Sequence, residues 1–259
     1  LIIASLGSIY VTSFTIHSCA TVFVANDSFA GVAVSDRIEF SNIANIKMER
    51  RESQKRERER DMIHSGRLIF EPYAFRNLLQ SPKQLVIHKC SLPVVLPNSF
   101  TGLSHMEHLW IRNSTIGRLS TNSFYHLTHV NYLYFRDVTI GRIEQRAFGK
   151  MYSVDHLFMG GTMQVDSADG WLLAGSSVEE VLLEGVFGEI DEAFILDANV
   201  HVVTIRDSML RLQSRDELTT TTSDTQIQLY PQPQTALQVT NVTMNALVPA
   251  LLTYFNKVG

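Results

Sequence analysis

Nine histidines, two cysteines and a few large aromatic side chains are the groups through which this chain could do chemistry. Two His-x-x-His spacings occur, His105 with His108 and His126 with His129. A zinc-protease helix needs such a pair with a glutamate beside the first histidine, and neither pair has one. Cys19 and Cys90 sit in no CxxC and in no Cys/His spacing suited to zinc. No phosphate-cradling glycine loop, no G-x-S-x-G elbow and no evident catalytic triad occurs. The expectation is therefore a non-enzyme with no cofactor, no metal and no catalytic residue. A different pattern is more informative. Trp110, Tyr134 and Phe158 recur at one constant interval, and the same interval separates His108, Tyr132 and His156, and Arg112 from Arg136. Rings and guanidinium groups gathered into one patch have the composition of a binding hot spot.

The same spacing governs the elements that would position them. Leu85, Leu109, Leu133, Leu157 and Val181 follow one another at i+24, and Val203 comes at the slightly shorter i+22. Two positions on from each stands a second apolar residue: Ile87, Ile111, Phe135, Met159, Leu183 and Ile205. That alternation reads as a short strand with one face buried. The residues between them (Val86, Trp110, Tyr134, Phe158, Leu182 and Thr204) then face outward. At a fixed offset come Phe29, Phe75, Phe100, Phe124 and Phe148, then Trp171 or Leu172, and Phe194. One strand and one return segment cannot bury their own apolar faces, so successive turns must stack and share a core. Neighbouring strands of such a stack lie roughly 4.8 Å apart.

The clearest units read PKQLVIHKCSLPVVLPNSFTGLSH, MEHLWIRNSTIGRLSTNSFYHLTH and VNYLYFRDVTIGRIEQRAFGKMYS. This pattern resembles the extracellular-type leucine-rich-repeat family with 24-residue repeats, over roughly residues 6 to 212 and most clearly over 82 to 153. The resemblance implies an α/β-type repeat solenoid, a horseshoe with a concave parallel β-sheet and an irregular convex side. It departs from the family at the position usually filled by Asn, which holds Phe14, Ile43, Cys90, Ser114, Val138, Thr162, Val186 and Ser208. Only Cys90 matches, so the side-chain ladder between turns should be thin and apolar packing should hold them. Cys90 should point inward as a buried free thiol, too far from Cys19 to be bridged.

The organisation expected is one solenoid over residues 1 to 259, of about eight or nine repeats. It is interrupted by a charged insertion at 47–66 and a polar loop at 214–234, and ends in a partial repeat at 235–259. The insertion mixes both signs of charge without an apolar stripe and reads as a solvated excursion. No apolar run is long enough to span a bilayer as a helix, and the opening in patterned sequence is that of a piece of a longer protein. A formal charge of −4 gives no global attraction to nucleic acid.

The resemblance implies an extracellular or cell-surface recognition module of a receptor, adhesion or matrix protein. It would bind a protein or glycan on the concave face through Trp110, Tyr134, Phe158, Arg112, Arg136, His108, Tyr132 and His156. One edge of this face leans acidic and the other basic, an arrangement that orients a partner. Sequons at Asn26, Asn113 and Asn241 point to N-glycosylation and a secretory route. Two alternatives remain: a scaffold or homodimerisation module, and a parallel β-helix enzyme acting on polysaccharide.

Overall fold

The computed structural model describes residues 1–43, 66–191, 194–195, 197–213, 236–240 and 242–244. The charged run, the polar loop 214–234, Asn241 and most of the C-terminal segment thus lie outside the described residues, apart from Gly66 of the insertion. The strands in chain order are β1 (Ile2–Ile3), β2 (Ile9–His17), β3 (Thr21–Val24), β4 (Val32–Ser41), β5 (Arg67–Phe70) and β6 (Gln84–His88). Then follow β7 (Ser91–Leu92), β8 (Ser104–Arg112), β9 (Thr115–Leu119), β10 (Thr128–Arg136), β11 (Thr139–Ile143) and β12 (Tyr152–Ala168). The last five are β13 (Ser177–Asp191), β14 (Asn199–Arg206), β15 (Met209–Gln213), β16 (Ala236–Thr240) and β17 (Thr243–Met244).

These strands form a parallel β-solenoid of about eight turns. Its front sheet runs β2, β4, β6, β8, β10, β12, β13, β14, β16, each strand paired in parallel with the next. Leu85, Leu109, Leu133, Leu157, Val181, Val203 and Leu237 are Cα partners on consecutive rungs, as the repeat spacing requires. A second stack of short strands lies on the return side: β1, β3 and β5, then β7, β9 and β11, the ends of β12 and β13, and β15 and β17.

No helix occurs among the described residues, which corrects the α/β-type expectation: the repeat solenoid is present, but its return side is stranded. The reason is length. In the turn after β8 only eight residues, 114–121, separate a corner at Asn113 from the next at Asn122, too few to nucleate and sustain a helix. Extended, those residues bury Ile116 and Leu119 and hydrogen-bond the turns on either side. Gly117 is required there, because a Cβ would stand 2.4 Å from the Pro93 carbonyl oxygen of the previous turn.

The corners are left-handed. Each front strand from β2 to β8 is followed by a residue of positive φ: Ser18, Asn42, Lys89 and Asn113, with Asp137, Gly161, Gly185 and Asp207 in the turns that follow. Asn, Asp and Gly accept this conformation at least cost, which explains their recurrence just past the strand. The shortening of the repeat between Val181 and Val203 also has a local cause. Along β12 the offset to its β13 partner falls from 24 (Gly160 with Glu184) to 23 (Met163 with Val186) and 22 (Ala168 with Ile190). Two bulges in β12 absorb the difference while the front rungs stay in line.

The core is an apolar column between the stacks. Phe29, Phe75, Phe100, Phe124 and Phe148 are buried and stack in sequence, with centroids 4.8 to 6.2 Å apart. Each ring buries enough area to contribute about 2 kcal/mol, with offset stacking adding to that. Beside three of them a buried serine ties one turn to the previous one: Ser28 Oγ donates to Ile3 O (2.6 Å), Ser99 Oγ to Phe70 O (3.3 Å) and Ser123 Oγ to Val95 O (2.9 Å). At the family's Asn position, Ser114 Oγ accepts from Cys90 N at 3.1 Å and donates to Arg112 O at 2.8 Å. Ser208 repeats this with Val186 N and Arg206 O. The ladder is thus carried by serine hydroxyls at two positions in the turn rather than by asparagine at one.

Candidate recognition face

Inward residues of the front strands leave their alternates on the outer surface in three columns. The first runs Gln84, His108, Tyr132, His156, Glu180, Val202; the second Val86, Trp110, Tyr134, Phe158, Leu182, Thr204; the third His88, Arg112, Arg136, Gly160, Glu184, Arg206. All eight residues singled out from the sequence therefore fall on one face, on the three adjacent strands β8, β10 and β12.

The columns are physical stacks. His108 packs on Tyr132 with centroids 5.2 Å apart, and Tyr132 on His156 at 4.8 Å with planes 11° apart. His156 Nδ1 lies 3.0 Å from Glu180 Oε2, so the file ends on a carboxylate. In the second column Tyr134 stacks on Phe158 at 4.1 Å and 11°. Two members of that column are not open to solvent. Val86 is fully buried, and Phe158 is only 8% exposed beneath Tyr134 and beside Gly160, where a Cβ would stand 2.5 Å from Phe158 Cζ. Phe158 therefore supports the face rather than forming its contact surface. Trp110 and Tyr134 are half-buried and Tyr132 is exposed. The Arg112 guanidinium lies over the Trp110 ring, 5.4 Å from its centroid.

Between β8 and β10 these side chains line a cavity of about 310 Å³, formed by His108, Trp110, Arg112, Tyr132, Tyr134 and Arg136. His108 Nδ1 and Arg112 Nε are buried beside it with no hydrogen-bond partner among the described residues. His88, one rung from Arg112, has its imidazole pKa held below the usual value by burial and by the Arg112 and Lys89 cations.

The surrounding charge is distributed unevenly. Lys83 pairs with Glu107 at 3.6 Å on the strand-start edge, and Glu179 with His201 at 3.1 Å. In the third column Arg206 pairs with Glu184 at 2.9 Å, whereas Arg112 has no carboxylate within ion-pair distance among the described residues. Asn113 stands exposed at the left-handed corner next to Arg112, and Asn26 lies at a distant corner. Cys90 is buried at the ladder position, its thiol pushed up to about 11 mainly by burial, and both it and Cys19 are free. A thiol of that pKa is almost wholly protonated at neutral pH and has little nucleophilic character.

The two His-x-x-His spacings also find an explanation. His105, His126 and His129 all have positive φ, His105 and His129 as the second residues of β8 and β10, and His105 stacks on His129 at 4.6 Å across one turn. Among the described residues no group of three or more His, Cys, Asp or Glu side chains is placed to hold a metal ion. A second cavity, of about 420 Å³, lies at the far corner between Tyr73, Asn98, Asn122, Tyr125, Arg146 and Lys150. Its lining does not stand out in the sequence, although Asn98 and Asn122 hold matching positions on neighbouring turns, both at positive φ. No family model and no curated protein matches the chain.

Proposed function

We propose that this chain is a leucine-rich-repeat recognition module of a secreted or cell-surface protein, and that it binds a protein or glycan ligand on the front face through β8, β10 and β12. The observation that carries this reading is the aromatic and cationic patch of His108, Trp110, Arg112, Tyr132, Tyr134 and Arg136. It surrounds a cavity on an otherwise regular sheet and leaves two buried nitrogens unmatched. Trp, Tyr and Arg clustered around a pocket are the side chains that carry most binding energy where interfaces have been dissected. Stacking across rungs holds the rings in place before a ligand arrives, so little side-chain entropy is lost on binding. A glycan on Asn113 would border this patch and narrow the choice of partners.

The reading is tested by probing wild type and a Trp110→Ala/Tyr134→Ala variant against arrays of secreted proteins and of glycans. Ligands retained by wild type are expected to bind the variant at least 100-fold more weakly, with its circular dichroism unchanged. Ligands held equally by both proteins would place recognition elsewhere on the molecule.

A further inference from the structure

Resting on the front-face reading above, we propose that the slot between Trp110 and Tyr134 takes an aromatic ring bearing a carboxylate, an aryl or arylalkyl acid. The first column of rings is stacked without a break from His108 through Tyr132 to His156. The second is interrupted at one place. Tyr134 stacks on Phe158, but no ring contact joins it to Trp110, its Cα partner on the adjacent strand. Trp110 leans instead on His108, with centroids 4.7 Å apart and planes at 40°, beneath the Arg112 guanidinium. One face of the Tyr134 ring is thus left without an aromatic neighbour, and the cavity of about 310 Å³ opens beside it. That volume admits a single ring with a short substituent and lies at the small end of ligand pockets. A flat guest against Tyr134 extends the stack that Tyr134 already makes with Phe158.

The charge at the slot selects an anion. Arg112 and Arg136 stand on successive rungs and both line it, and no acidic side chain does. The carboxylate nearest Arg136 among the described residues is Asp137 at 3.7 Å, and Arg112 has none. The buried Arg112 Nε lacks an acceptor, and an unmet buried donor is costly; a carboxylate drawn against the two guanidinium groups offsets that cost through charge-assisted hydrogen bonds. A neutral ring leaves Arg112 unmet, and an aliphatic acid leaves the Tyr134 face bare. Both halves of the guest are therefore required.

The test is calorimetric titration of the whole chain with 4-hydroxyphenylacetate, its neutral amide, and cyclohexylacetate. The acid is expected to bind at least about tenfold more tightly than either analogue, the difference expected for one charge-assisted contact or one ring stack. Equal affinity for the amide or for cyclohexylacetate, or no binding of the acid, overturns the proposal without any need for a variant. Tyr134→Leu and Arg112→Gln should each weaken the acid about tenfold, while Arg142→Gln on the return side should leave it unchanged. The same group occurs free or as the C-terminal residue of a polypeptide, so a pentapeptide ending in tyrosine is compared with its C-terminal amide. Tighter binding than the free acid, abolished by amidation, assigns the slot to a chain end, and equal affinity assigns it to a small molecule. If the array ligands above depend on Trp110 and Tyr134 but no aryl acid binds, the slot assignment fails alone. If aryl acids bind and no macromolecule does, the larger recognition reading fails and the slot stands.

Discussion

The front rungs built by β8, β10 and β12 and those built by β13 and β14 share one backbone plan but carry different surface chemistry. In the central rungs the outer columns hold stacked rings, and Arg112 has no acid within reach among the described residues. In the later rungs the third column pairs with itself, Glu184 with Arg206, while the return side carries ion pairs in both regions, Arg142 with Asp169 and Arg211 with Glu189. The core differs in parallel. Phe100, Phe124 and Phe148 form a stacked spine, whereas Phe194 has no aromatic neighbour among the described residues. A parallel sheet in register places like positions side by side, so whichever residue type recurs is multiplied. Recurring rings give a stack, opposite charges give internally satisfied pairs, and only the first leaves bonding capacity open for a ligand.

The strongest way to break this comparison is in the core. Phe124→Ala removes a ring stacked on both sides and is expected to cost about 3–5 kcal/mol in chemical denaturation. Phe194→Ala should cost distinctly less, because that ring loses burial but no stacking. Equal losses would mean that the two halves are held together alike.

A smaller effect sharpens the contrast at the surface. The folded-state pKa of His88 lies below its ordinary value, so the unfolded chain binds this proton more readily than the folded one. The stability contribution is therefore complete at pH values above the ordinary imidazole pKa of about 6.5 and declines as the pH is lowered through that value. Denaturation midpoints should fall between pH 7.5 and 5.5, and His88→Gln should flatten the dependence. A His88→Gln profile parallel to wild type would remove His88 from the account.

The smallest expected effect belongs to the later rungs. Arg206→Gln breaks an exposed pair with Glu184 and should leave the unfolding midpoint unchanged within error, since such pairs contribute little. A clear loss would show that the paired surface stabilises the solenoid after all.

The front sheet was legible in the sequence because a strand with one buried face must repeat its apolar residues once per turn. Leu85 and its counterparts therefore declare the rung directly. The return strands were not, because β9 and β11 are only five residues long and each carries a glycine, Gly117 and Gly141, whose place is explained only by the carbonyl of the neighbouring turn beside it. The site residues were found by the same column logic, which also places Phe158 and Val86 outside. What it cannot supply is the tilt of a ring. Phe158 is covered because Tyr134 lies flat on it, and the slot exists because Trp110 does not. The serines before Phe29, Phe100 and Phe124 carried a weak periodic signal that became meaningful only once their hydroxyls were seen to reach the turn before.

The two bulges of β12 show how such a molecule tolerates a change of length. They take up the shorter return path while every front rung keeps its partners, so the working surface is insulated from insertions and deletions at the back. A loop or epitope grafted into the return side should therefore leave the front pattern intact, whereas a single residue added within β8 or β10 would turn the rings of that rung inward.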